Sequence, residues 1–168
     1  MSEFPRGTSE TRDGDLHLLR FELHLPHPAD AVWAAVATPE GLPGWLAAAD
    51  VLEPRIGGAV TLRWLNAEDE GAHTVASGTV TAWDVERVAE YTVSVHGRIR
   101  FHLETVGVSS TVLRFTNEFR GTDEVRLDNL AGWHHHFELL ERALAGAPVT
   151  DWSSWTPDRW EQLRAEYV

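Results

Sequence analysis

Apolar and polar positions alternate from Leu16 to Leu25, with His17, Leu19, Phe21, Leu23 and Leu25 on one side of an extended segment and Leu18, Arg20 and Glu22 on the other. Pro26 and Pro28 end that strand. Residues 29–37 are rich in helix formers and place Val32, Trp33 and Val36 on one face, so a short helix follows. Thr38 as cap and Pro39 at the first helical position predict a second short helix leading through Leu42 to Trp45 and Leu46. Further strands are predicted over residues 51–55, 59–65, 74–83, 87–95, 98–106 and 111–119. Their links are short, and Ile56-Gly57-Gly58 is a tight hairpin. Ile99, Phe101 and Leu103, then Leu113 and Phe115, keep the period of two expected of a sheet with one buried face. The pattern then changes to that of a helix over about 126–145, ending at Gly146. Leu130, Trp133, Phe137, Leu140 and Leu144 make its apolar stripe, and His134 and Glu141 run along one edge. Thr156-Pro157 starts a last short helix carrying Trp160, Leu163 and Tyr167.

These elements predict an α+β fold: a curved antiparallel sheet of about seven strands wrapped on one long C-terminal helix, with two short helices after the first strand. Residues 1–15, polar and aperiodic, are expected to be a mobile arm, residues 16–146 the domain, and residues 147–168 an extension whose short helix packs back on it. The first residues lack the apolar stretch of a secretory signal, and no run approaches the ~18 apolar residues of a membrane span, so a cytoplasmic protein is expected.

Composition narrows the chemistry. The net charge is −12, spread along the chain, which argues against nucleic acid and anionic membrane as partners. There is no cysteine and no lysine, which removes disulfides, thiolate ligands, thiol nucleophiles and Schiff-base chemistry. Gly57-Gly58 lacks the spacing and lysine of a phosphate loop, and no Gly-x-Ser-x-Gly elbow occurs. His134-His135-His136 stands out, but successive helical residues point about 100° apart and cannot converge on one ion. No metal and no cofactor are expected. Arg98, Arg100, His102 and Glu104 alternate with the apolar set, as do Arg114, Thr116 and Glu118. They are expected to form cross-strand pairs on the outer face; the opposite register would turn them inward as a polar floor.

Three local segments carry a family resemblance. Residues 28–33 with Val32-Trp33, then Thr38-Pro39-Glu40-Gly41-Leu42 and Trp45-Leu46, come first; Gly57-Gly58 follows in the hairpin; Gly132-Trp133 ahead of Leu139-Leu140 comes last. In that order they resemble the SRPBCC (START-like, helix-grip) superfamily, in the branch related to the activator of the ninety-kilodalton heat-shock protein's ATPase. The resemblance covers residues 16–146. It implies a cavity between sheet and C-terminal helix that binds a hydrophobic or aromatic small molecule, with Trp33, Trp45, Trp64, Trp83, Phe101, Phe115, Leu130, Trp133, His134, Phe137, Leu140 and Glu141 as the pocket residues. It also implies two alternatives. One is a cyclase or aromatase in which His134, His102 or Glu141 moves protons; the other is a module acting on a chaperone. Full-length eukaryotic activators carry a further N-terminal domain for which a chain of this length has no room, so the chaperone role is disfavoured.

Overall fold

The computed structural model describes residues 4–66 and 73–168. Eight strands form one antiparallel sheet: β1 (Thr8–Arg12), β2 (Leu16–Leu25), β3 (Ala47–Leu52), β4 (Ala59–Trp64), β5 (Val75–Asp84), β6 (Val88–Val93), β7 (Gly97–Val106) and β8 (Ser110–Arg120). Their spatial order is β1-β2-β8-β7-β6-β5-β4-β3. From β2 the chain crosses to the far edge through α1 (Ala29–Ala37) and a 3-10 turn, Leu42–Gly44, and then returns strand by strand until β8 pairs with β2. Register shifts between Ala49 and Val51 and between Val80 and Ala82 mark bulges, which bend a strand and deepen its twist. The sheet curls around α2 (Asp123–Leu144), and α3 (Asp158–Tyr167) packs on the outer side of α2.

β1 is the strand the sequence pattern does not predict. Residues 8–12 are polar, yet they pair along β2 through backbone hydrogen bonds, and polar side chains suit an exposed sheet edge. The turn into β2 contains Asp13 and Gly14 at φ 53° and 84°, the left-handed region that Asp tolerates and Gly favours. Of the expected arm, residues 1–3 lie outside the described residues. The strand predicted over 51–55 lies earlier, at Ala47–Leu52. Pro54 has no N–H for a ladder, and Glu53 instead closes the turn, its carboxylate accepting the Ala59 N–H at 2.6 Å. The second short helix shrinks to the 3-10 turn at Leu42–Gly44.

α2 begins three residues before the predicted start because Thr122 caps it, accepting the Val125 N–H at 3.2 Å, and because Asp123 and Glu124 complement the positive end of the helix dipole. The outer sheet face carries the expected pairs. Arg98 binds Glu118 at 3.0 Å, Arg100 binds Glu90 at 3.0 Å, and Arg114 reaches Glu22 and Glu104 at 3.1 and 3.2 Å. His102, in register with Arg114, belongs to this face and not to the interior.

Candidate functional site

The residues expected to line one cavity go to several places. Trp45, Phe101, Phe115, Leu130, Phe137 and Leu140 are in the packed centre, each at most 2% exposed. The space between sheet and α2 is occupied there by interlocking rings: Phe101 and Phe115 lie 5.3 Å apart, Phe115 and Phe137 4.9 Å, and Trp45 stacks on Phe137 at 6.0 Å. The polar atoms of this centre are partnered. Trp45 Nε1–H donates to Ala35 O at 2.8 Å and the Tyr91 hydroxyl donates to Val36 O at 3.0 Å. Burial pushes the Tyr91 hydroxyl's pKa upward, so it stays a donor. Trp33 and Trp83 pair edge to face at 4.9 Å.

The proposed proton carriers are also separated. His134 points into a seam between α2, α3 and the N-terminal segment. The Tyr167 hydroxyl accepts the Gly7 N–H at 2.9 Å and shares a hydrogen bond of 2.7 Å with His134 Nδ1, while the Phe4 ring lies 4.7 Å from the imidazole. Glu141 lines a different cavity, beside Phe4, Leu25 and Val112. His102 is across the sheet.

The histidine run, whose side chains diverge around α2, is covered by the C-terminal extension. His134, His135, His136 and Glu138 are all buried. Arg159 grips the Glu138 carboxylate with two bonds, 2.9 and 2.6 Å. Burial alone would raise that carboxyl's pKa; the Arg159 hydrogen bonds and charge outweigh it and hold the pKa below the ordinary value. Trp155 stacks over His135 at 6.2 Å, and Trp152 Nε1–H donates to Pro43 O at 2.8 Å. His136 Nδ1–H donates to Trp45 O at 2.8 Å, which leaves Nε2 with the lone pair. Burial lowers His135 to about 4 and His136 to about 3, so both are neutral near pH 7. Among the described residues no group of three or more His, Asp or Glu side chains could hold a metal ion.

Where this extension meets the sheet, a cavity of about 320 Å³ opens to one side of the packed centre. The domain supplies Trp64 from the end of β4, His96 from the turn between β6 and β7, and Asn129, Gly132, Trp133 and His136 from α2. Trp155, Pro157 and Trp160 come from the extension. The four α2 residues share one face because their spacing is three, one and three. At Gly132 a Cβ would sit 3.9 Å from Trp160 Nε1, an ordinary contact distance, so only a side chain longer than alanine would press on the extension.

A buried asparagine sets this wall. Asn117, fully buried on β8, accepts the Trp133 Nε1–H at 3.0 Å. Its amide donates to His96 O at 2.7 Å and Arg98 O at 3.0 Å. The turn it clamps has Val95 and Gly97 at φ 68° and 69°, and a Cβ on Gly97 would lie 2.2 Å from Glu118 O. Only glycine fits there. The clamp places the His96 ring against Trp64, stacked at 4.1 Å. Burial lowers His96 to about 4, so its imidazole is neutral near pH 7.

Among the described residues, three buried side-chain atoms are without a hydrogen-bond partner: Asn66 Oδ1, His96 Nε2 and Trp155 Nε1. The residues that carry them line this same cavity, although the three atoms themselves are shut away from solvent. Each such atom costs about 1–3 kcal/mol relative to a partnered one, so three of them beside one cavity call for a reason. Trp64 and Trp133 were among the expected pocket residues, whereas Asn66, His96, Asn117, Trp155 and Trp160 were not. One signal was available: Asn117 interrupts the inward series Leu113, Phe115, Phe119 at a position where an apolar residue is expected.

A family model described as activator of Hsp90 ATPase homolog 1-like protein matches residues 26–145. No curated protein sequence gives a significant match. Among solved structures, the chain is similar to a protein from Bordetella parapertussis, at 28% identity over 99% of this chain and 91% of that one, with a TM-score of 0.66. It is also similar to CalU16 from Micromonospora echinospora, at 19% identity over 98% of both chains and a TM-score of 0.66. A conserved protein of unknown function from Enterococcus faecalis shares 14% identity over 96% of this chain and 90% of that one, with a TM-score of 0.68. The last two likenesses concern the fold alone.

Proposed function

Since the chain belongs to the activator of Hsp90 ATPase homolog 1-like family, within the SRPBCC (START-like) superfamily, we propose that it binds a small aromatic molecule, and that the side cavity is where it does so. The observation that carries the reading is the gathering of four indoles, Trp64, Trp133, Trp155 and Trp160, around one cavity of about 320 Å³. Indoles offer flat apolar faces with a polar edge, and the volume sits at the small end of ligand pockets. That size suits two or three fused rings. Two of the indoles come from the family-matched region and two from the extension beyond residue 145. A ligand here is therefore sandwiched between the domain and its own tail.

A thermal melt with naphthalene as probe tests this. A ligand at a hundred times its Kd adds about 2.7 kcal/mol to the native state, which moves the melting temperature of a domain this size by roughly 5–10 °C. Gly132→Leu, which drives a branched side chain toward Trp160, should abolish the shift. A melting temperature that does not move with naphthalene or with indole up to their solubility limits would overturn the proposal.

A further inference from the structure

Successive helical side chains point about 100° apart, and each ring of the run His134-His135-His136 meets a different aromatic residue of the C-terminal extension. His134 faces Tyr167 at 5.7 Å between ring centroids, His135 lies under Trp155 at 6.2 Å and His136 faces Trp152 at 6.3 Å. The extension thus wraps an arc of α2, and all three imidazoles are buried beneath it. Its own anchoring is light. Of residues 147–168 only Leu163 is buried, while Val149, Trp152 and Tyr167 pack on the core partly exposed. The other ties are polar, among them Arg159 to Glu138, Arg164 to Asp128, Trp152 Nε1–H to Pro43 O and Val149 N–H to Gly44 O. A segment with few buried apolar contacts opens locally at lower free energy than the core.

We propose that this extension is an acid-released strap: as the histidine run takes up protons, it lifts from α2 and carries Trp155 and Trp160 away from the side cavity, while the sheet stays folded. That the strap gates a ligand rests on the reading of the cavity as a binding site. The charges around the rings set the sign. Glu138 lies 3.9 Å from His134 Nε2 but is already held by Arg159, and the charges of Arg6 and Glu166 act on His134 in opposite directions. The Tyr167 hydroxyl, raised by burial, stays uncharged. Arg142 and Arg159 oppose a proton on His135, and Asp151 and Asp158 line the same cleft as His135. His136 donates to Trp45 O and feels His135 and His96. Burial outweighs the attraction of Glu138 and lowers all three, His135 to about 4 and His136 to about 3. Lifted into water, a ring returns toward 6.5, so the open state binds more protons. The strap is closed above pH 6.5 and loosens as pH falls below it. Each freed histidine multiplies the open-to-closed ratio about tenfold between pH 7.5 and 5.5.

Hydrogen exchange read by mass spectrometry on the full chain without ligand, at pH 7.5 and 5.5 and corrected for the chemical exchange rate at each pH, tests the strap. Amides of α3 should be about tenfold or more less protected than those of β8 at both pH values, the mark of local opening. They should lose at least a further ~10-fold between pH 7.5 and 5.5. His135→Phe, which keeps a ring under Trp155 without its proton site, should cut that loss by about tenfold. Protection in α3 equal to that in β8, protection unchanged by pH, or a loss undiminished in the variant would overturn the proposal. The rate at which bound naphthalene leaves, followed by tryptophan fluorescence in stopped-flow dilution, should rise about tenfold over the same interval. If α3 opens and that rate stays constant, the gating is overturned. If naphthalene does not bind, the binding reading fails, and exchange alone decides the strap.

Discussion

In the centre of the molecule, Trp45 Nε1–H reaches Ala35 O, the Tyr91 hydroxyl reaches Val36 O and Phe137 is fully buried among Trp45, Phe115 and Trp133. Beside it, around Trp64, His96 and Trp155, equally large rings line a cavity, and the wall residues Trp155, His96 and Asn66 carry a buried indole N–H, imidazole nitrogen and amide oxygen without a partner. Both regions bury aromatic surface, which is favourable wherever it occurs. They differ in whether the polar atoms are satisfied. A folded chain tolerates unpaired buried polar atoms only where something else is gained, and the centre shows that this sequence pairs them when stability alone is at stake.

The contrast predicts a hierarchy of effects. Phe137→Ala should be the most damaging, about 3–5 kcal/mol in urea unfolding, because the ring is fully buried and its neighbours are fixed. A loss below 1 kcal/mol would mean that the centre is loosely packed and could itself hold a ligand.

Next comes acid. His96, His135 and His136 have folded pKa values of about 4, 4 and 3 against 6.5 for the free side chain. The unfolded chain therefore binds more protons below pH 6.5, so their contribution is fully present above that pH. It is lost progressively as pH falls from 6.5 toward the folded values. Between pH 6.5 and 5.5 each histidine should cost up to ~1 kcal/mol, and urea midpoints at the two pH values read the sum. An unchanged midpoint would mean that the extension does not shield α2.

At the lower end, Glu22→Gln removes the Arg114 pair on the outer face, where both side chains are nearly half exposed. It should change stability by less than ~0.5 kcal/mol. A larger loss would put structural weight on the sheet's wet face.

Much of the fold was readable along the chain, and the site was not, for physical reasons. The bounds of the strand at Leu16–Leu25 and the helix at Ala29–Ala37 follow from local periodicity and from the prolines beside them. The inner stripe of α2 does too. The other faces of that helix depend on a tail that arrives from twenty or more residues downstream. His135 and Glu138 therefore look like wetted positions until Trp155 and Arg159 are placed on them. Cavity walls built from a β4 end, a β6–β7 turn and a tail share no sequence window. Asn117 left a signal that the reading did not use: a lone amide in an inward apolar series, which here holds both the His96 turn and Trp133.

The account rests on the side cavity, and not the centre, receiving an aromatic ligand. The most direct test follows the eight tryptophan indole N–H resonances by nitrogen-15 correlation spectroscopy during titration with naphthalene. The account predicts that Trp64, Trp155 and Trp160 move most, through ring currents. Trp45, bonded to Ala35 O in the packed centre, should stay in place. A titration in which Trp45 shifts most, or in which no indole shifts, would contradict it.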